Sequence, residues 1–134
     1  MKRLIIMMAM MASITTIGAQ TIRNSNNSVL GTINSNGDVR NSNNSLVARI
    51  SSNGDIRDSS NRLIAKIDGS TVRNSNNSVL GYINSDGTVR NSNQSVLGRV
   101  NSDGTVRNSN NSVIGYAKGV PVSYAAVYFF FKLF

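Results

Sequence analysis

From Thr21 to about Lys118 one motif is written six times, V-R-N-S-N-N-S-V-L-G-x-I-N-S-D-G-T. Its copies start at Ile22, Val39, Ile56, Val72, Val89 and Val106, at spacings of 17, 17, 16, 17 and 17 residues. Repetition at a fixed period means a supersecondary unit packed against copies of itself, because a unit this short cannot bury its apolar face alone. In each copy the apolar runs V-R-N and S-V-L-G-x-I are separated by clusters of Asn, Ser, Asp and Gly. Short strands joined by tight turns have that pattern. Each copy therefore reads as a β-hairpin.

The glycine turn sets the register. In Ile33-Asn34-Ser35-Asn36-Gly37-Asp38-Val39 the glycine suits a left-handed position. A type I turn followed by a glycine bulge pairs Asn34 with Asp38 and Ile33 with Val39. The third copy is one residue shorter, Ile67-Asp68-Gly69-Ser70-Thr71-Val72. A two-residue Gly-Ser loop of type II′ pairs Asp68 with Thr71 there and keeps Ile67 opposite Val72. The deletion thus comes out of the loop, whereas inside a strand it would turn a whole face outwards. The second turn, Ser42-Asn43-Asn44-Ser45, suits a tight loop with Asn-Asn at its tip, since Asn tolerates positive φ. That register places Val39 opposite Ala48 and Arg40 opposite Val47. One face collects Val39, Leu46, Ala48 and Ile50, and the other Arg40, Val47 and Arg49.

On the first face Gly31, Ala48, Ala65, Gly81, Gly98 and Gly115 form a column of small residues. Glycine weakens a strand unless something approaches closely, so a bulky neighbour is expected over the column; strong twist is the alternative reason for glycine there. The neighbour is Val122 to Phe134, with Tyr124, Val127, Tyr128, Phe129, Phe130, Phe131, Leu133 and Phe134 and a single charge at Lys132. It follows Pro121, and Ser123 is placed to cap a helix. A helix apolar all round is a buried one. Thirteen helical residues span ~20 Å, short of the ~30 Å of a bilayer core but long enough to plug a shallow ring. The competing reading is a last outer-membrane barrel strand ending at Phe134, which would set Lys132 on the lipid face beside Phe130.

Composition narrows the function classes. Cysteine, histidine and tryptophan are absent, which excludes disulfides, thiol chemistry and zinc sites and removes the commonest general base. The acids are all aspartates, Asp38, Asp55, Asp58, Asp68, Asp86 and Asp103, in or beside turns. Spread around a ring they form neither the carboxylate pair of a glycosidase nor the converging oxygens of a calcium site. Serines are plentiful, yet a Ser/Lys pair through Lys66 or Lys118 has no motif behind it. No catalytic residue, metal ligand or cofactor is expected, and the chain reads as a non-enzyme.

At the start Lys2 and Arg3 precede an apolar run from Leu4 to Ala12, then Ser13 to Gly18 and Ala19. A secretory signal peptide over residues 1–19 has this layout, with cleavage between Ala19 and Gln20. The run is shorter than the ~20 residues of a membrane span. One mature domain is expected over residues 20–134, with repeats over 21–118 and the apolar segment over 122–134. Export places it in the periplasm, the outer envelope or outside the cell.

The N-S-N-N-S-V-L-G-Y-I-N-S-D-G-T-V-R units, the signal peptide and the closing Tyr124-Ala125-Ala126-Val127-Tyr128-Phe129-Phe130-Phe131 together resemble the β-flower family. That resemblance implies an all-β, shallow, pseudo-symmetric barrel of radiating hairpins around an apolar C-terminal helix, in a small bacterial envelope protein. It brings no established activity and no catalytic residues. The family is described as five-fold; this chain has six V-R units and five glycine turns, so five or six petals are both open. More remotely, twelve strands around an apolar helix are similar to tubby-like domains, which bind phosphoinositides; that likeness is architectural, and fold does not imply function.

The functional candidates are Arg23, Arg40, Arg57, Arg73, Arg90 and Arg107, which follow the first apolar residue of each copy. All should project from one face at matched heights, beside Arg49, Lys66 and Arg99 alternating with Thr32, Tyr82 and Tyr116. Arginine can serve there simply to keep a β-surface soluble and to discourage edge pairing. The functional expectation is a basic ring that gathers anions through bidentate contacts: anionic lipid at a membrane surface, lipopolysaccharide or acidic glycan. With twelve cations against six aspartates beyond residue 19, nucleic acid could bind non-specifically, but export removes it as an expected partner. The alternative is a self-assembling structural protein, a fibre or envelope scaffold, since Asn-rich apolar-alternating strands can stack.

Overall fold

The six copies of the repeat fold into six hairpins that close on themselves. The structure, a computed structural model, describes residues 20–134; the expected signal peptide lies outside the described residues. The strands are β1 (Gln20–Asn24), β2 (Val29–Ile33), β3 (Asp38–Asn41), β4 (Leu46–Ile50), β5 (Asp55–Asp58), β6 (Leu63–Asp68), β7 (Thr71–Asn74), β8 (Val79–Ile83), β9 (Thr88–Asn91), β10 (Val96–Val100), β11 (Thr105–Asn108) and β12 (Val113–Tyr116). Each pairs antiparallel with its neighbours in sequence, and β1 pairs with β12 to close the barrel. The seam is short, with Arg23 opposite Tyr116 and Asn24 opposite Gly115. The petal number is six.

The glycine turns have the expected register. Ile33 faces Val39; the Asn34 amide donates to the Asp38 carbonyl and the Gly37 amide to the Asn34 carbonyl, both at 2.9 Å. Gly37 sits at φ 91°, where a side chain would be strained and would also strike the Ile50 carbonyl. That carbonyl's own residue is tied to the turn, because the Ile50 amide donates to Gly37 O at 2.8 Å. The shorter third copy keeps both features: Asp68 faces Thr71 and Ile67 faces Val72. Ser70 O takes over the role of Gly37 O by accepting from the Ile83 amide at 2.8 Å. After β12 the chain turns once more at Gly119 (φ 81°) and leaves the ring.

The asparagine turns correct the expected register. Arg40 faces Leu46, not Val47, although Val39 does face Ala48. Asn41 N donates to Ser45 O and Asn44 N to Asn41 O, the same three-residue loop as at the glycine turns. Asn44 holds the left-handed position at φ 67° in place of glycine. The extra loop residue shifts the register by one, and a bulge at Val47 shifts it back. Val47 therefore packs on the core beside Ala48, while Leu46 shares the outer face with Arg40. The expected face assignment had these two exchanged. Each copy repeats the device, with Leu30, Ile64, Leu80, Leu97 and Ile114 in the place of Val47.

Inside the ring Ile22, Val39, Ile56, Val72, Val89 and Val106 are fully buried. The remaining space is filled by the C-terminus, which is α1 (Val122–Ala126) continued by a π-helical turn, Val127–Phe131. A terminal strand does not form. Pro121, not Ser123, precedes the helix, and its carbonyl accepts from the amides of Tyr124 and Ala125 at 3.0 Å. The helix is buried on one side only: Ala125, Ala126 and Val127 are inaccessible, whereas Phe129, Phe130 and Phe131 are half-buried. Those rings account for half of the small-residue column. A side chain at Gly81 would meet Phe131, one at Gly98 would meet Phe130, and one at Gly115 would meet Phe129. A π turn makes a smaller angular step per residue than an α turn. Three consecutive phenylalanines can thereby address three consecutive hairpins. Lys132, at φ 51° and ψ 48°, ends the helix.

Gly98→Val should therefore destabilise the barrel by roughly 1–3 kcal/mol or more, because the new branch points at both the Arg107 carbonyl and the Phe130 ring. Urea unfolding of the two proteins measures this. A chain ending at Gly119 should lose cooperative unfolding altogether; a truncated protein that stayed monomeric and cooperative would show that the helix does not hold the ring together.

Candidate anion-binding surface

The arginine column stands on the outer face because each arginine follows a buried apolar residue, and successive residues of a strand point to opposite sides. Cross-strand pairing sets the rows: Tyr116–Arg23–Val29, Thr32–Arg40–Leu46, Arg49–Arg57–Leu63, Lys66–Arg73–Val79, Tyr82–Arg90–Val96 and Arg99–Arg107–Val113. All six sequence candidates are thus at matched heights, and their expected neighbours lie beside them.

These side chains have a second role that the repeat pattern does not announce. In every copy the arginine Nη1 donates to the backbone carbonyl of the residue four positions on, the left-handed residue of the asparagine turn. The partners are Asn27, Asn44, Asn61, Asn77, Gln94 and Asn111, at 2.9–3.1 Å. The first residue of that turn braces it from the other side. Asn41 Oδ1 accepts from the amides of Asn43 and Ser45, both at 3.0 Å, and Asn24, Asn74, Asn91 and Asn108 do the same in their turns. In the third turn the brace is Asp58, through the amides of Ser60 and Arg62. Each column arginine is therefore half-buried and tied to its turn through one guanidinium nitrogen.

Charge is distributed unevenly around the ring. Asp38 Oδ1 accepts from Arg49 Nε at 2.7 Å, and Asp38 Oδ2 lies 3.9 Å from Arg40. Asp55 sits 3.7 Å from Arg57 and 3.9 Å from Lys66, and Arg62 lies 3.4 Å from Asp58. The Asp38 hydrogen bond and charge raise the pKa of Arg49. Every ion pair among the described residues falls between β3 and β6. On the remaining arc Arg73, Arg90, Arg99, Arg107 and Arg23 have no carboxylate of the described residues within 4 Å. Asp86 and Asp103 are occupied by their own turns. Each accepts the backbone amide two residues on, from Thr88 and Thr105, at 3.0 Å; those bonds hold both carboxyls below the ordinary aspartate value. Two clefts open on this arc. One of about 560 Å³ lies at the seam, lined by Gln20, Arg23, Tyr116 and Lys118 among others. One of about 340 Å³ lies beside Arg90 and Arg99.

The turn carboxylates make stability depend on pH. The Arg62 amide, ahead of the Ser60 amide and the Arg62 charge, holds the Asp58 carboxyl below 3.8, and Asp86 and Asp103 shift the same way. A depressed folded-state pKa contributes stability that is present above the unfolded value and lost as pH falls through the folded one. Asn does the work of Asp58 in the other five turns. Asp58→Asn should therefore leave the fold intact at neutral pH and soften the loss of stability below about pH 4. Denaturant midpoints across that range test this, and an unchanged or steeper acid loss in the variant would contradict it.

Comparison with curated proteins and with solved structures finds no match. The model of the family described as 5-fold beta-flower protein matches residues 19–133, which takes in the whole ring and the C-terminal helix. That description is of a five-fold flower, whereas this ring closes six hairpins; the chain belongs to the β-flower family.

Proposed function

We propose that the protein is a non-catalytic binder of anionic surface components, exported beyond the inner membrane, where lipid headgroups, lipopolysaccharide phosphates and acidic glycans are at hand. The observation that carries this reading is the row of six guanidiniums fixed at one height on a closed ring, four of them, with Arg99 beside them, along an arc without an ion-paired carboxylate. Guanidinium forks match phosphate and carboxylate oxygens two at a time. The turn hydrogen bond common to all six arginines orders each side chain in advance, which lowers the entropic cost of binding. Ring closure also favours this reading over self-assembly into fibres, since a barrel whose first and last strands pair offers no open edge for strand addition.

Purified protein should bind vesicles containing anionic lipid, or lipopolysaccharide, more tightly than neutral vesicles. Attraction between exposed charges is screened over about 8 Å at physiological ionic strength, so binding should weaken steeply as salt is raised. Replacing Arg73, Arg90 and Arg107 by Gln should reduce it while circular dichroism still shows a folded β-protein, because the Asx brace and the strand pairing remain. Binding that ignores salt and survives the triple substitution would overturn the arginine reading.

A further inference from the structure

The repeat provides its own comparison at one outer-face position, two residues before each column arginine. Asp38 and Asp55 occupy it in β3 and β5, where each lies between two cations: Arg40 and Arg49, then Arg57 and Lys66. In β9 and β11 the same position holds Thr88 and Thr105. The acid has moved two residues back into the turn, from the Asp38 and Asp55 positions to Asp86 and Asp103, while Asn36 and Asn53 brace the acid-bearing copies. The cations did not move with it. Thr88 faces Arg99 across the strands, Arg99 faces Arg107, and Arg90 lies two residues along β9.

The two halves of the ring then differ in one respect. Arg49 and Arg57 are a directly opposed like-charge pair, flanked by Asp38 and Asp55. Arg99 and Arg107 are the equivalent pair, flanked by Thr88 and Thr105. Like charges directly opposite destabilise a sheet, and here no carboxylate within 4 Å offsets them. Where Asp38 accepts from Arg49 Nε, Thr88 offers a hydroxyl one bond shorter and without charge, to which Arg99 Nη2 donates at 3.4 Å. The cleft of about 340 Å³ here is lined by Thr88, Arg90 and Arg99 and by Asn108, Ser109 and Asn111 of the next turn, which carry further donors; Arg107 does not line it but faces Arg99 from β11. The cleft's single carboxylate, Asp86, is engaged with the amide and the side chain of Thr88, and its charge also acts on Arg99 from beyond ion-pair distance.

We propose that Arg90, Arg99 and Arg107, over Thr88, form a binding site for one terminal phosphate group, which occupies the place that the Asp38 carboxylate fills in the second hairpin. Three guanidiniums and a hydroxyl suit a tetrahedral dianion with several free oxygens better than a planar carboxylate. A soluble monoester and a lipid headgroup present the same phosphate, and the chemistry of recognition is the same. This assignment rests on the anion-binding reading of the arginine face and narrows it to one place.

The test is a titration of purified protein with inorganic phosphate, followed by amide chemical shifts, and in parallel with vesicles of phosphatidylcholine with and without phosphatidic acid. Shifts should centre on Thr88, Arg99 and Asn108 to Asn111. Thr88→Asp restores the built-in carboxylate and should weaken binding roughly tenfold or more, the scale of a charge-assisted hydrogen bond. Thr71→Asp makes the same charge change at the equivalent position of the fourth hairpin, beside one column arginine, Tyr82 and Asp68. It should weaken binding by no more than about threefold, through general electrostatics. Arg99→Gln removes an exposed side chain that braces no turn and should act like Thr88→Asp, so the outcome does not hang on the folding of one variant. Binding of phosphate alone identifies a soluble ester as sufficient; binding confined to phosphatidic acid vesicles identifies the headgroup. Equal weakening by Thr88→Asp and Thr71→Asp, or none by Thr88→Asp and Arg99→Gln, would overturn the local site and leave the arginine face standing. Failure of the unaltered protein to bind any anion would overturn both.

Discussion

A ring of twelve short strands encloses more space than its own inward side chains can fill, and everything else in this molecule follows from filling it. Eight strands make a barrel that side chains alone can pack; this one has twelve, each of four to six residues. A hairpin this short is marginal on its own, so its stability comes from the inner face it buries. Val127 and the alanines before it supply the centre of that filling, and Phe129, Phe130 and Phe131 carry it to the wall. The wall must be backbone-thin where the rings arrive, and hence Gly115, Gly98 and Gly81 stand there. The small-residue column and the aromatic tail are two halves of one contact.

Much of that contact was legible in the sequence, because each half is conspicuous and neither makes sense alone. A glycine column in the middle of strands asks for a close neighbour, and an apolar terminal segment asks for a place to be buried. The glycine-turn register was legible for a different reason: the copy that lacks one residue constrains where the loop lies. The asparagine-turn register was not. Asn44 does the conformational work of a glycine, so N-S-N-N-S hides its identity with N-S-N-G-D, and the compensating bulge at Val47 leaves no mark except two consecutive apolar residues. The hydrogen bond from each arginine to its turn was equally hidden, since it depends on where the carbonyl of a left-handed residue points.

Within a chain of near-copies, constancy and variation carry different information. The arginine of the column is present in all six units and makes the same turn contact in all six. A structural duty suffices to explain its presence, and its presence alone says little about a ligand. The position two residues earlier is Asp in two copies and Thr in four. It decides whether the neighbouring cations are neutralised within the fold or left for something outside it. The sequence contained that difference, but it acquires meaning only once the rows are known, because Asp38 and Arg49 are eleven residues apart and meet across a turn.

Energetics decide what such an uneven ring is good for. An exposed ion pair such as Arg57 with Asp55 contributes on the order of 1 kcal/mol or less, so exchanging aspartate for threonine in the other half costs the fold little. On the proposed reading, an anion arriving from solution would gain more from the same cations than a surface aspartate does. It can take up several donors at once, and the arginine column is already ordered by its turn bonds, so less side-chain entropy is lost on binding. A small loss to the fold on one side of the ring therefore leaves cations whose net interaction is available to a ligand. The turn bond, which alone would mark the arginines as merely structural, is also what would prepare them for the anion binding proposed above.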